Sequence, residues 1–210
     1  MTASKMVERS REVQGTPPLE GTQAAQSYCP SCGDKVSTYG VLKDGKIEVR
    51  CNACGFPMAA EERPPLRGVE CILIADDDRL FRSLLADLLV ERGLTPTVLP
   101  CESGTTFLTA ALERLLLGLP NKLAILDIVM DPLDGLATAI AFRALEKWLK
   151  MPSLTPLLFL SAVRYDEHLK KAVNLCQPAR YLNKGSDVTP DKLGPRLERV
   201  LGSLLQQGGI

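Results

Sequence analysis

Short apolar runs alternate with stretches of helical spacing from residue 70 onward, and this alternation limits the folds open to the chain more than any other feature. The runs lie at residues 71–75, 95–99, 123–126, 157–160 and 179–182. The first helical stretch stops at Gly93, and others follow at 103–117, 135–150, 166–175 and up to Gln206, with Pro195 expected in the first turn of the last helix. Strands that alternate with helices form a parallel sheet covered on both faces. The sequence therefore predicts an α/β domain with the order (βα)5.

The chain is long enough for this domain and one small module. Its 210 residues exceed the size of a typical domain. The predicted divisions are a mobile tail at 1–26, a cysteine-containing module at 27–60, a charged, proline-bearing linker at 61–68 and the α/β domain at 69–210. Because the linker separates two cores, the module and the domain are expected to fold independently.

The charge of the chain is balanced, with 25 basic and 25 acidic residues. Residues 1–68 hold no cluster of Lys and Arg of the kind that nucleic-acid binding needs, although Lys43, Lys46 and Arg50 leave a nucleic-acid partner open. No apolar run approaches the roughly 20 residues that span a bilayer. We therefore expect a cytoplasmic protein without membrane insertion, whose partner is a protein rather than DNA.

Four of the seven cysteines form two C-x-x-C-G motifs, Cys29 with Cys32 and Cys51 with Cys54, separated by 18 residues. Close pairs in a reducing compartment indicate metal or redox chemistry more often than disulfides, and this spacing matches a tetrahedral metal site. The Asp-Gly pair at 44–45 predicts a type I′ hairpin. The module looks like a zinc ribbon, in which Zn²⁺ holds together a unit too small to fold alone.

Four thiolates close the coordination sphere of the metal, so zinc hydrolysis is not expected. Iron of the rubredoxin type is the alternative, but the aromatic-rich surroundings of that family are missing. Cys71, Cys101 and Cys176 show no ligand spacing and are interpreted as core or surface thiols.

Polar side chains stand at the C-terminal ends of four predicted strands. They are Asp76, Asp77 and Asp78 after the first strand, Asp127 after the third, Ser161 after the fourth and Lys184 after the fifth. In an open parallel sheet the functional crevice lies at these ends. Carboxylates brought together repel one another, so the cluster predicts a hard cation such as Mg²⁺. Helix N-caps are the alternative, which explains one Asp better than the whole set.

The polar residues belong to stretches at 72–78, 126–135, 159–162 and 181–184. In this order the stretches resemble the receiver domain of bacterial two-component response regulators, and the resemblance covers residues 69–207. It implies a flavodoxin-like, doubly wound parallel sheet with the strand order 2-1-3-4-5.

The resemblance implies that Asp127 accepts a phosphoryl group from a phosphohistidine of a sensor histidine kinase or phosphotransfer protein. Asp77 and Asp127 would ligate Mg²⁺, Asp76 would act mostly through water, and the backbone carbonyl of Val129 would supply another ligand. In phosphoryl transfer generally, metals and cationic side chains neutralise charge on the phosphoryl oxygens. The protein would be a signalling switch that catalyses its own phosphorylation and dephosphorylation, rather than an enzyme with a separate substrate.

Ser161 and Lys184 would each hold a phosphoryl oxygen. As Ser161 moves toward the phosphoryl group, the ring of Tyr181 would turn inward, which makes a two-state element. The alternative for Tyr181 is an ordinary, partly buried strand aromatic. The resemblance also implies that the face of the fourth helix, fifth strand and last helix serves a homodimer or a downstream protein target.

Two residues depart from the pattern of the family. Gly185 follows Lys184 where the family usually has Pro, and Asp131 interrupts the usual Met-Pro after the phosphoacceptor. Glycine adopts many backbone conformations, so the loop is expected to be looser. Both departures leave open a pseudo-receiver that signals without phosphate.

A phosphatase of the haloacid dehalogenase type is the competing enzyme. Residues 76–78 read as its D-x-D motif, Ser161 and Lys184 follow in the right order, and Asp187 and Asp191 imitate its last acidic pair. That family, however, places the last pair at a further strand end well beyond the lysine. Turnover of a phosphate ester distinguishes the two, because a receiver labels itself once and a phosphatase cycles.

Overall fold

The computed structural model describes residues 26–43, 45–58, 69–185 and 189–207. The predicted tail up to residue 25 and the predicted linker at 61–68 lie outside the described residues. Within the described part, no helix is long and apolar enough to cross a membrane.

Four short strands form the N-terminal module and five more form the sheet of the α/β domain. The module contains β1 (Ser27–Cys29), β2 (Asp34–Val36), β3 (Thr38–Lys43) and β4 (Lys46–Cys51). The strands of the domain are β5 (Cys71–Ala75), β6 (Thr97–Cys101), β7 (Leu123–Leu126), β8 (Leu157–Ser161) and β9 (Ala179–Asn183). Its helices are α1 (Arg79–Glu91), α2 (Gly104–Leu116), α3 (Gly135–Trp148), α4 (Glu167–Leu175) and α5 (Pro190–Gln207).

The five strands of the domain form one parallel sheet in the order β6-β5-β7-β8-β9. This is the order 2-1-3-4-5, so the predicted doubly wound α/β fold is confirmed. Every residue of β5, β7 and β8 is buried because helices cover both faces of the sheet. The order places the C-terminal ends of β5 and β7 side by side at the point where strand order reverses.

The second strand and the last helix begin at residues other than those predicted. The strand spans Thr97–Cys101 rather than 95–99, because the Thr95 hydroxyl exchanges hydrogen bonds with the backbone of Thr97 and forms a turn there. The last helix begins at Pro190, so Pro195 lies inside it and not in its first turn. Proline tolerates the first position because its missing N–H has no partner there, and Pro190 takes that place.

The N-terminal module, called the cysteine module (residues 27–58), consists of two antiparallel ribbons. β1 pairs with β2, and β3 pairs with β4 up to Lys43 opposite Lys46, which leaves a two-residue connection at 44–45. The pairing agrees with the predicted hairpin, and Gly45 has a φ of 75°. The type of the turn lies outside the described residues, because Asp44 is not among them.

The expectation of two independent cores is wrong. The buried module residues Cys29, Cys51 and Phe56 belong to the same apolar cluster as residues 193–205 of α5. Phe56 is only 1% exposed, and the Arg199 guanidinium lies 6.0 Å from its ring centroid. Arg199 also donates a 2.8 Å hydrogen bond to the carbonyl of Met58. The module is too small to bury its own apolar side chains, so it buries them against α5.

Candidate functional site

Three carboxylates meet at the C-terminal ends of β5 and β7. Asp76 and Asp77 follow β5 directly, and Asp127 follows β7. One carboxylate oxygen from each lies within 4.8 Å of the others, a spacing that allows them to share one cation. Asp76 and Asp127 are buried, at 2% and 7% exposure, whereas Asp77 is exposed. Burial fixes the carboxylate oxygens of Asp76 and Asp127, and the exposed Asp77 leaves the site open to solvent.

Lys184 completes this cluster from the end of β9. Its Nζ donates to Asp76 Oδ2 at 2.7 Å and to Asp127 Oδ2 at 2.6 Å. The ammonium also lies 4.1 Å from the ring centroid of Phe81, which holds it over the cluster. Lys184 pairs with two of the three carboxylates, so the ionised cluster retains negative charge that suits a divalent cation.

The backbone around Asp127 explains how the sequence presents this side chain. The Asp127 amide donates to the Ala75 carbonyl at 2.8 Å, and the Val129 amide donates to Asp127 Oδ1 at 3.2 Å. A Cβ at Gly135 would lie 1.9 Å from the Asp127 carbonyl oxygen. Only glycine therefore fits at position 135, where α3 begins directly behind the acidic residue. The side chain of Val129 is exposed at the rim of the site.

Asp78 caps a helix, which is the alternative role that the sequence allowed for these aspartates. Its Oδ1 accepts hydrogen bonds from the amides of Leu80 and Phe81, at 2.8 and 3.1 Å, and so caps α1. Asp76 Oδ1 accepts from the Asp78 amide at 3.0 Å, so the cap also orients the buried carboxylate. Helix capping accounts for Asp78, and the carboxylate cluster accounts for its neighbours.

Ser161 and Tyr181 lie together on the neighbouring strands β8 and β9, where the Tyr181 hydroxyl is 3.3 Å from the Ser161 carbonyl. Ser161 is the last residue of β8, and its Oγ accepts from the Val163 amide at 3.4 Å. The Tyr181 hydroxyl donates to the Val163 carbonyl and accepts from Asn183 Nδ2 at 2.8 Å. Its ring is already buried, at 3% exposure, against Tyr165, with centroids 4.8 Å apart. Burial raises the pKa of Tyr181 to about 12, so the hydroxyl stays protonated.

The backbone explains why glycine follows Lys184. Gly185 has a φ of 86°, a left-handed conformation that proline cannot adopt. Its amide donates to Asn183 Oδ1 at 2.8 Å, a bond that proline would also remove. The loop is therefore held at this point rather than looser. The other departure, Asp131, is exposed and does not belong to the group of carboxylates that meet among the described residues.

The four cysteines of the module form a second cluster. Cys29 Sγ lies 3.6 Å from Cys54 Sγ, and Cys32 Sγ lies 3.8 Å from Cys51 Sγ. Zinc with Zn–S bonds of about 2.3 Å and tetrahedral angles places its sulfurs roughly 3.8 Å apart, so this arrangement fits the ion. Hydrogen bonds from the Cys29 and Cys32 thiols lower the pKa of Cys54 to about 2. The same sharing of protons, together with burial, raises the pKa of Cys29 and Cys32, so the metal-free cluster holds one thiolate and needs a cation to ionise the other sulfurs.

The two cysteine motifs have the same backbone geometry. The amides of Cys32 and Cys54 approach the sulfurs of the first cysteines of their motifs, at 3.5 and 3.4 Å. The amides of Gly33 and Gly55 donate to the carbonyls of the same first cysteines, both at 2.8 Å. Both glycines have positive φ, 74° and 71°, which explains the glycine after each second cysteine.

Sequence reasoning missed the residues that connect the two clusters. Ser31 and Arg196 both contact the end of β9, through Tyr181 and Asn183. Ser31 is an unspecified position of a C-x-x-C motif and Arg196 is an ordinary helix residue, so no local pattern distinguishes either. Only their contacts across the fold reveal them.

Comparison with known proteins supports the fold of the α/β domain. No protein-family model matches the sequence, and no curated protein matches it. The receiver domain of the histidine kinase CKI1 from Arabidopsis thaliana, in a complex with Mg²⁺ and BeF₃⁻, superposes with a TM-score of 0.55. The two share 21% identity over 67% of this chain and 92% of that one.

A second solved structure shows the same architecture. The response regulator domain of Thermotoga maritima CheB superposes with a TM-score of 0.50 and 20% identity, over 68% of this chain and 98% of that one. The α/β domain has the receiver fold. We call residues 69–207 the receiver-fold domain; its carboxylate cluster stands at the strand ends where this fold places its crevice.

The burial of Asp76 predicts a pH-dependent stability of the receiver-fold domain. Burial raises the pKa of Asp76 above its ordinary value of 3.8, against the opposing hydrogen bond from Lys184. The folded protein therefore binds this proton more tightly than the unfolded chain, so the ionised carboxylate costs stability at neutral pH. That cost disappears as the pH falls from above the raised pKa to below 3.8.

We therefore expect Asp76→Asn to raise the midpoint of urea unfolding at neutral pH in Mg²⁺-free buffer. The gain should shrink as the pH falls through the range of carboxylate titration. Asp77→Asn is the matched control, because Asp77 is the exposed carboxylate of the cluster and should give the smaller change. A lower midpoint for Asp76→Asn at neutral pH would contradict the prediction.

Proposed function

We propose that this protein is a phosphorylation-dependent signalling switch of a two-component system, with Asp127 as the phosphoacceptor. The observation that carries the proposal is the contact of Lys184 with both Asp76 and Asp127, at 2.7 and 2.6 Å, beside the exposed Asp77. The donor is the phosphohistidine of a sensor histidine kinase or a phosphotransfer protein. The protein works in the cytoplasm and signals through a protein target.

The proposed step transfers one phosphoryl group to a carboxylate oxygen of Asp127. The bond between the donor nitrogen and phosphorus breaks as the oxygen–phosphorus bond forms, and the imidazole nitrogen retains the electron pair. Lys184 lies close enough to neutralise charge that develops on a phosphoryl oxygen, and Ser161 stands at the neighbouring strand end to hold another. Asp76, Asp77 and Asp127, with the carbonyl of Val129, would hold Mg²⁺, which supplies further charge neutralisation when bound.

The phosphatase alternative is disfavoured by the role of Asp78. In a D-x-D motif at 76–78, the second aspartate would need a carboxylate free for acid–base work. Asp78 instead caps α1 through Oδ1 and is not among the described carboxylates that meet at the strand ends. Asp187 lies outside the described residues, so that part of the motif is not placed.

The cysteine module would bind one Zn²⁺ through Cys29, Cys32, Cys51 and Cys54. The sulfur spacings of 3.6 and 3.8 Å support this assignment, because they match the edges of a zinc–thiolate tetrahedron. The four thiolates leave no open position, so the ion has a structural role. Rubredoxin-type iron uses the same ligands, and metal analysis of the purified protein distinguishes the two.

Intact-mass measurement tests the phosphoacceptor proposal directly. Incubation with a small phosphodonor and Mg²⁺ should add the mass of one phosphoryl group, and omission of Mg²⁺ should slow the addition strongly. Generic phosphate esters should not be turned over rapidly, because each phosphoryl group stays on Asp127 until the switch dephosphorylates itself. A mass that never changes would favour a pseudo-receiver, and sustained turnover would favour a phosphatase.

A further inference from the structure

We propose that the cysteine module is a metal-dependent effector of the phosphoacceptor site, acting through the strand that carries Tyr181 and leads into Lys184. Metal in the cysteine cluster would hold β9 in the position from which Lys184 reaches Asp127. The two sites would then raise each other's occupancy. The effect on phosphorylation rests on the proposed function above, whereas the effect on β9 does not.

The first contact is made by Ser31, which lies between two cysteines of the metal cluster. Its carbonyl accepts from the Asn183 amide at 2.8 Å, and its hydroxyl donates to the Tyr181 carbonyl at 2.5 Å. β9 is the edge strand of the five-stranded sheet, so its outer backbone groups need partners. Ser31 supplies two of them and is itself only 3% exposed. The first cysteine motif therefore covers the outer edge of the strand that presents Lys184.

The second contact is made by Arg196 of α5. Its Nε donates to the Pro30 carbonyl at 2.9 Å, and one terminal nitrogen donates to the Asn183 carbonyl at 2.6 Å. A Cβ at Gly33 would lie 2.6 Å from that nitrogen, so the motif packs directly on the guanidinium. One side chain thus ties the metal-binding loop to the residue before Lys184.

From this point the path to the acidic cluster is short. The Lys184 amide donates to the Ser161 carbonyl at 2.8 Å, and its ammonium contacts Asp76 and Asp127. Tyr181, which Ser31 contacts on the backbone, bonds through its hydroxyl to the loop after Ser161. A path from the metal-binding loop through Asn183 and Lys184 therefore reaches Ser161 and Asp127 in no more than two hydrogen bonds.

Metal loss should disturb this path because the loop depends on the metal. Residues 29–33 turn around the sulfurs, and metal-free thiols in small modules do not hold such turns. Without the turn, Ser31 would leave the Tyr181 carbonyl and the Asn183 amide of β9, and the Pro30 carbonyl would leave the Arg196 guanidinium. Linkage requires the reverse effect with equal size, so phosphorylation should tighten metal binding by the same factor.

Hydrogen exchange and metal release test the coupling on the full chain. Removal of zinc should speed amide exchange in residues 179–185 beyond the general increase that lower overall stability causes in β5 and β7. Phosphodonor with Mg²⁺ should reduce the zinc released at equilibrium to a zinc-selective chromogenic chelator, which corresponds to a zinc affinity higher by about 5-fold or more, the usual range of allosteric coupling. Unchanged exchange in 179–185 after zinc removal would overturn the proposal, whether or not Asp127 accepts phosphate.

Variants separate the coupling from metal binding itself. Arg196→Ala and Ser31→Ala should still bind one zinc but should reduce the effect of phosphodonor on zinc release. Glu198→Gln is the matched control on α5, because Glu198 pairs with Arg92 at 2.7 Å and not with the module. Intact mass distinguishes the failures: no added phosphoryl group argues against the proposed function, and a labelled protein with unchanged zinc release argues against the coupling.

Discussion

Asp127→Asn should abolish phosphoryl addition from a small phosphodonor while leaving the fold intact. The amide of Asn is not a nucleophile toward phosphorus, and Asp76, the other described carboxylate that contacts Lys184, is assigned to the metal. Asn is nearly isosteric with Asp, and Asp127 is buried with hydrogen bonds to Lys184 and to the Val129 amide, so the pocket keeps its shape. Intact mass after incubation should show one added group in the natural chain and none in the variant.

Asp131→Asn is the control for this experiment. Asp131 lies four residues later in the same loop, and its side chain is exposed. Its substitution removes a nearby negative charge without touching the carboxylate cluster, so it should still accept one phosphoryl group. Labelling of Asp127→Asn equal to that of the natural chain would place the acceptor elsewhere.

Loss of metal from the cysteine module should destabilise the receiver-fold domain as well as the module. Cys51 and Phe56 lie in one buried cluster with Leu197 and Leu201 of α5, so unfolding of the module exposes that side of the helix. Truncation of a buried Phe alone costs about 3–5 kcal/mol. A change of 1 kcal/mol shifts the melting temperature of a chain of this size by roughly 2–4 °C. We therefore expect chelation to lower the melting temperature on the order of 10 °C.

Calorimetry with and without chelator measures this effect, and metal analysis should first show one zinc per chain. Cys51→Ala should start at the lower melting temperature and should not respond to chelator, because it lacks a complete ligand set. A chelator that lowered the melting temperature of Cys51→Ala as well would be acting on something other than the bound metal. If the main transition of the natural chain stays in place on chelation, the packing of the module against α5 contributes little to stability.

The fold of the receiver-fold domain could be predicted from the sequence because its determinants are local. Runs such as 123–126 are apolar along their whole length, which is required of strands buried on both faces. Asp76 and Asp127 directly follow such runs, and parallel strands bring their C-terminal ends to one edge, so their meeting followed from pattern alone. The four cysteines were equally readable, because the spacing within each motif already sets the turn around the metal.

Element boundaries were less predictable where side chains compete with the regular pattern. The Thr95 hydroxyl forms a turn that delays β6 by two residues, from 95 to 97. The helix α5 begins at Pro190 and not near Pro195. Either proline could occupy the first turn of a helix, and the sequence alone does not show which one does. Tyr181 could be assigned to the site, but its buried position depends on Val163 and Asn183, which only the folded chain brings to its hydroxyl.

The sequence by itself determined the parallel sheet, the carboxylate cluster and the cysteine cluster, since hydrophobic period and motif spacing act over a few residues. Only the tertiary structure decided that the two clusters are joined. Ser31 and Tyr181 lie 150 positions apart along the chain, and Arg196 reaches Pro30 across 166 positions. Such contacts form because an edge strand needs backbone partners and a small module needs apolar cover, and α5 and β9 meet both needs at one place.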